Sequence, residues 1–184
     1  PMCRAPLPKS ALENHRRTLQ WAQRGKAWAM IMLADDYRDG RGVQKSQKKA
    51  RLWYGRAAEQ GRVLAQFNLA LMHFNGQGGP VSLEHAMFWF KRAAAQGNNK
   101  AMHTVQKMKS ICSSCAKPRS ASGENMKTCS GCKCAIYCSE VCQRAHWKKD
   151  GGHKTMCKKI RALHVKMAGG ASGGGRMAPT PGSG

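Results

Sequence analysis

Displaced by 36 positions, the first hundred residues of this 184-residue chain fall onto themselves. Gly25, Gly61 and Gly97 come into register, as do Ala29, Ala65 and Ala101. Leu33 meets Leu69, Gly40 meets Gly76, Gly42 meets Gly78, Ser46 meets Ser82, Ala50 meets Ala86 and Trp53 meets Trp89. The block Arg56-Ala57-Ala58 meets Arg92-Ala93-Ala94. A period of this length excludes most globular folds, because each short unit can bury its apolar face only against a neighbouring copy. The expectation is a solenoid.

The content of one unit sets its internal structure. Ala29, Met30, Leu33, Ala34 and Tyr37 recur at three- and four-residue spacing, which predicts an amphipathic helix beginning near Ala27. Gly40 suits the left-handed position that ends many helices. Ser46 is placed to cap a second helix that buries Ala50, Trp53, Tyr54 and Ala57, and Gly61 ends it. Each unit is thus a helix–loop–helix, with alanines letting the two helices approach and Trp53 and Trp89 filling the space between units. Leu12 to Gln23 reads as the second helix of a preceding unit, and Ala101 to Met108 as the start of a third. Since the sequence opens on Pro1 rather than methionine, the solenoid is expected to be N-terminally truncated.

Two stretches, Leu33-x3-Tyr37-x2-Gly40-x-Gly42-Val43 and Ala50-x2-Trp53-x3-Ala57-Ala58-x2-Gly61-x3-Ala65, resemble the Sel-one-like repeat, an α/α solenoid unit related to tetratricopeptide repeats. The resemblance covers residues 12–108 and implies a scaffold for protein contacts rather than a catalyst. His73 stands where a tyrosine is usual, and Gly79-Pro80 alters the second loop; neither change is expected to break the fold.

Eight of the nine cysteines lie between Cys112 and Cys157. A disulfide framework needs an oxidising compartment, but the total is odd, the first residues lack the layout of a secretion signal, and the spacings are those of metal ligands. They form the pairs Cys112-x2-Cys115, Cys129-x2-Cys132, Cys138-x3-Cys142 and His153-x3-Cys157. A C-x2-C turn aims two sulfurs at one ion, with Gly131 easing the second turn. Ligands four residues apart share one helix face. Eight ligands make two tetrahedra, and thiolates with one imidazole suit Zn²⁺. The segment has few apolar side chains (Ile136, Tyr137, Val141, Trp147, Met156) and is too short to sustain a core unaided. Bound zinc contributes on the order of 10 kcal/mol or more to folding such a module.

The order of the pairs, with Ala135-Ile136-Tyr137-Cys138-Ser139 and Cys142-Gln143-x3-Trp147, closely resembles the MYND-type zinc finger. A RING finger would place histidine mid-sequence and C-x2-C in its later pairs. The resemblance implies a cross-brace of two Zn²⁺ ions: Cys112, Cys115, Cys138 and Cys142 on one, Cys129, Cys132, His153 and Cys157 on the other. The Cys115–Cys129 and Cys142–His153 loops are longer than usual, so His146, one turn after Cys142, competes with His153, and Cys134 competes with Cys132. His153 and Cys132 are preferred, because His153 pairs with Cys157 and C-x-C makes a poorer turn. Cys134 is then a bystander, Cys3 inert, and His103 and His164 ordinary solvated side chains.

The family resemblance further implies binding of short proline-containing peptides in a groove beside a strand around Ala135–Tyr137. Gln143 and Trp147, one turn apart on the neighbouring helix, would be the peptide-binding side chains. The competing reading of Trp147 is that it packs the finger. No paired carboxylates, Ser/His/Asp set or phosphate-binding glycine loop appears, so no enzyme is expected. The formal charge of +23 keeps a nucleic-acid-associated regulator open as an alternative. Seven thiolates around two Zn²⁺ would lower it by about three units, and the basic residues are spread along the chain. A third reading is a fragment of a larger lysine methyltransferase that carries a MYND finger. The expected organisation is an all-α solenoid of helix–loop–helix repeats over 1–109, a small zinc-stabilised cross-brace finger over 110–160, and a flexible basic, Gly-rich tail over 161–184. The expected protein is an intracellular adaptor with no membrane span.

Overall fold

The computed structural model describes residues 9–113, 126–148 and 152–169. Six helices open the chain: α1 (Lys9–Gln23), α2 (Ala27–Asp39), α3 (Gln47–Glu59), α4 (Val63–Asn75), α5 (Leu83–Ala95) and α6 (Asn99–Met108). Each packs on the next, giving two complete helix–loop–helix units with half a unit at either end. The all-α solenoid expected from the 36-residue period is what forms.

The repeated residues are the ones that shape the units. Ser46 and Ser82 cap α3 and α5 by accepting hydrogen bonds from the backbone N–H groups of Lys49 and His85. Gly40 and Gly76 adopt left-handed conformations after α2 and α4, where an L side chain would be strained. Gly78 is constrained more tightly: a Cβ there would lie 2.3 Å from the carbonyl oxygen of Gln47, so the second unit's loop sits directly on the start of α3. Leu33, Ala34, Tyr54, Ala57, Ala65 and Ala70 are buried, and Trp53 and Trp89 fill the gaps between units. One polar link runs through this core. Buried Gln66 donates to the carbonyl of Ala58 at 3.2 Å and accepts from Gln96 at 2.8 Å.

His73, in the place of the repeat tyrosine, stacks on His85 with ring centroids 4.8 Å apart and bonds to Arg51. Burial, with the Arg51 charge adding to it, pulls His73 down to about 3 and His85 to about 4. Both rings are therefore neutral near pH 7, and the substitution is accommodated.

After α6 the chain turns into Cys112 and forms a small second layer on the solenoid. Strand β1 (Lys127–Thr128) pairs antiparallel with β2 (Ile136–Tyr137), in the register Lys127↔Tyr137 and Thr128↔Ile136. Ser113 locks the outer edge of β2, its N–H donating to Ile136 O at 2.6 Å and its Oγ accepting from Ile136 N at 2.9 Å. Helices α7 (Glu140–Lys148) and α8 (His153–Gly169) follow. α8 lies against α5, and the buried residues of the two layers form one continuous core.

The C-terminal boundary differs from the expectation of a flexible tail from residue 161. Residues 161–169 continue α8 because Ile160, Leu163 and Met167 form an apolar stripe that packs onto the solenoid, while Lys166 Nζ reaches Glu59 Oε2 at 2.5 Å. His164, expected to be merely solvated, is exposed yet rests edge-on against Phe88. The rest of the expected tail, 170–184, lies outside the described residues, as does Cys3. Among the described residues no helix is long and apolar enough to cross a membrane.

Candidate metal centre and the groove beside it

Two of the expected ligands come from the β1–β2 turn. Cys129 donates its N–H to Ala135 O and its carbonyl accepts from Lys133 N, both at 2.9 Å, so the chain doubles back over Cys129–Cys132. Lys133, at φ 55°, takes the left-handed conformation that completes the turn. The N–H of Cys134 then points at Cys132 Sγ, 3.5 Å away. Gly131 matters for space: a Cβ there would lie 3.0 Å from Cys157 Sγ and 3.8 Å from Cys129 Sγ. The other two ligands, His153 and Cys157, sit one turn apart at the start of α8.

The ligand atoms of Cys129, Cys132, His153 and Cys157 all lie within 4.8 Å of one another, and all four residues are buried. Cys129 Sγ and Cys157 Sγ are 3.9 Å apart, and Cys132 Sγ and His153 Nε2 are 3.5 Å apart. A tetrahedral zinc with bonds of about 2.3 Å to sulfur and 2.0–2.1 Å to nitrogen requires edges of about 3.8 Å between sulfurs and about 3.5 Å between sulfur and nitrogen. The observed edges match. A disulfide would need about 2.0 Å.

Within the cluster the groups shift one another's protonation in opposite directions. A hydrogen bond with Cys134, acting against burial and assisted by His153, brings the Cys132 thiol down to about 2. Burial and the neighbouring Cys132 charge push Cys157 up to about 12. Burial would lower His153, but hydrogen bonds with Cys132 and Cys129 outweigh it and leave the ring at about 9.

A second group contains Cys112, Cys138 and Cys142, again within 4.8 Å, with Cys138 Sγ and Cys142 Sγ 3.5 Å apart. Cys115, expected to complete it, lies outside the described residues. Among the described residues neither sulfur cluster includes His146 or Cys134. The His146 ring instead sits between the Tyr137 hydroxyl, 3.3 Å from Nδ1, and Glu84 Oε1, 3.3 Å from Nε2. Cys134 is buried beside Ile136 at the junction with the solenoid, near Phe74, Leu83 and Met87.

Gln143 and Trp147 share one wall of a groove of about 550 Å³ with Glu140 and Arg144. The opposite wall is the Cys129–Gly131 turn together with Cys157 and Arg161 of α8. This groove adjoins the cysteine–histidine cluster, while Ala135, Ile136 and Tyr137 of the neighbouring strand segment are buried. Trp147 is 43% exposed, and its inner edge meets the His153 ring with centroids 5.8 Å apart. It both packs on His153 and offers an open face. Sequence reasoning missed Arg161, which fell in the expected tail, and Glu84, which approaches from the solenoid. Glu84 occupies the position that Lys48 holds one repeat earlier, a departure that marks the residue but not what it faces.

Comparison with known proteins agrees with this architecture. The Sel1 repeat family matches residues 29–61 and 63–98, and the MYND finger family matches residues 112–157. A Sel1 repeat protein from Oxalobacter formigenes superimposes on 52% of this chain and 39% of its own, with 30% identity and a TM-score of 0.50. The protective antigen c5321 of uropathogenic Escherichia coli, which has an SLR fold, shares only the fold; 94% of this chain and 30% of that one align at 17% identity and a TM-score of 0.50. SET domain-containing protein 14 of Caenorhabditis elegans is 40% identical over 61 residues, which are 33% of this chain and 12% of that protein. A helical repeat array and a cluster of cysteines with one histidine thus meet in a chain that carries Sel1 repeats followed by a zinc-binding finger of the MYND family.

Proposed function

We propose that this chain is a non-catalytic intracellular adaptor. Its finger holds two Zn²⁺ in a cross-brace and binds short, proline-containing peptides, and its solenoid serves as the scaffold. The observation that carries the reading is the convergence of Cys129, Cys132, His153 and Cys157 at tetrahedral spacing against a groove whose far wall presents Trp147. Four protein ligands leave an ion no open position for water, so zinc there acts as a structural brace. Cys112, Cys115, Cys138 and Cys142 would hold the other ion. The half-exposed Trp147 indole offers a flat apolar platform for a proline ring, and the Gln143 amide can bond to a peptide backbone.

Two measurements test this. Elemental analysis of the reduced protein should return two equivalents of zinc, and fewer would overturn the cross-brace. Trp147→Ala should keep both ions yet weaken a proline-containing peptide by about tenfold or more, as expected for an aromatic anchor. Loss of zinc together with binding would instead assign Trp147 to packing. The charge of +23 supports a second reading, a nucleic-acid-associated regulator. Steeply salt-dependent RNA or DNA binding that survives Trp147→Ala would favour it.

A further inference from the structure

Glu84 is a buried carboxylate in the first turn of α5, at the repeat position where the preceding unit carries Lys48. Its Oε2 accepts from Ser82 Oγ at 3.4 Å. Its Oε1 faces two imidazoles of the finger, His146 Nε2 at 3.3 Å and His153 Nδ1 at 3.9 Å. The His153 ring is already oriented: Nε2 points at Cys132 Sγ, 3.5 Å away, so Nδ1 is the nitrogen turned away from the sulfur cluster. That nitrogen is fully buried and has no hydrogen-bond partner. A buried donor without an acceptor is costly, and the group it faces is Glu84.

Metal-ligating histidines depend on such a partner. A carboxylate that accepts the other ring N–H selects the tautomer, fixes the ring plane and makes the ligating nitrogen more basic. We propose that Glu84 positions His153 across this 3.9 Å gap: its negative charge keeps the proton on Nδ1 and leaves the Nε2 lone pair for zinc. The inference rests on the zinc reading above. It makes the second repeat a part of the metal centre, although Glu84 and His153 lie 69 positions apart. His146, held from behind by the Tyr137 hydroxyl, secures the same carboxylate oxygen. A further solenoid-to-finger link stands close by, since Lys91 of α5 donates to the carbonyl of Lys133 in the ligand turn.

The test compares wild type, Glu84→Gln and Glu84→Ala as full chains loaded with zinc. Release to a chromophoric chelator should be biphasic. One ion should leave at the wild-type rate in all three, and the other should be held about 10–100-fold less tightly in Glu84→Ala. Glu84→Gln, which keeps an acceptor but loses the charge, should fall between. Nitrogen NMR of labelled histidine should show a protonated Nδ1 on His153 in wild type, and that resonance should shift in both variants. Unchanged release of both ions with an unshifted His153 signal would overturn the role of Glu84. A third equivalent of zinc, present in wild type and lost in Glu84→Gln, would also overturn it, in favour of a separate cation held by Glu84, His146 and His153. Should Glu84→Ala lose its helical circular dichroism, Glu84→Gln and the NMR signal decide. A wild-type chain that takes up no zinc would sink the zinc reading itself, which these variants leave untouched.

Discussion

Replacing Gly131 with alanine probes the metal cluster without removing a ligand. The new methyl would stand 3.0 Å from Cys157 Sγ and 3.8 Å from Cys129 Sγ. The first distance is well inside an ordinary carbon–sulfur contact. The sulfur cannot simply swing away, because its position is fixed by the neighbouring ligands and by the first turn of α8. Relief must come from moving the turn or α8, and overpacking of that kind costs about 1–3 kcal/mol. If the strain falls on the metal-bound state, zinc affinity at this cluster drops about 5- to 150-fold, since each factor of ten is about 1.4 kcal/mol. Competition against a chelator of known affinity reads the change, with Gly55→Ala as a control because a Cβ at Gly55 meets nothing within 4 Å. Wild-type zinc affinity in Gly131→Ala would show that Cys157 does not meet Cys129 beside this glycine, and the proposed ligand set would fall with it.

Three further outcomes follow from the same geometry. Chelation of zinc should remove amide protection from residues 126–148 while α2 to α4, whose core is buried between helices, stay protected; hydrogen exchange that opens all of them together would contradict this. Gly78→Ala should destabilise the solenoid by about 3 kcal/mol or more, because a positive-φ residue also meets a backbone oxygen, and an unchanged melting temperature would count against the packing described. The third concerns acid. His73 and His85 have folded-state values of about 3 and 4, below the ordinary histidine value of 6.5. The unfolded chain therefore binds more protons between these limits, and stability, fully present above pH 6.5, should fall as the pH drops towards 4. Between pH 7 and pH 5 each ring should account for on the order of 2 kcal/mol, and the pair for about 4 kcal/mol at most. His73→Gln should flatten the pH dependence of thermal unfolding, and an unaltered profile would refute the burial argument.

Much of this structure was legible because its determinants are local in sequence. The serine caps, the left-handed glycines and the alanine contacts each lie within one 36-residue unit, so their recurrence announced the units. The convergence of Cys129 and Cys132 with His153 and Cys157 was equally plain, since a C-x2-C turn and a one-turn helical pair are short-range geometries. What stayed hidden depends on how one layer lies on the other. Glu84 has its role only because α5 passes beneath α7 and α8, a packing that no spacing encodes. Nor does any spacing say that Ala135, Ile136 and Tyr137 are covered while an opening falls between α7 and the Cys129–Gly131 turn. Residues 161–169 were legible but overlooked: Ile160, Leu163 and Met167 carry helical spacing, and their proximity to a glycine-rich end masked it.

The course of α8 has a consequence for traffic on the solenoid. The helix starts with His153 and Cys157 and ends with Lys166 and Met167 over the flank formed by Met30, Glu59, Gln60 and Phe88. Whatever molecule competes for that flank must lever up a rod whose other end carries two of the four clustered side chains. By reciprocity, loss of a zinc ion bound there as proposed would loosen the rod to the same degree that displacing the rod loosens the ion. Occupancy at one end is thereby reported at the other.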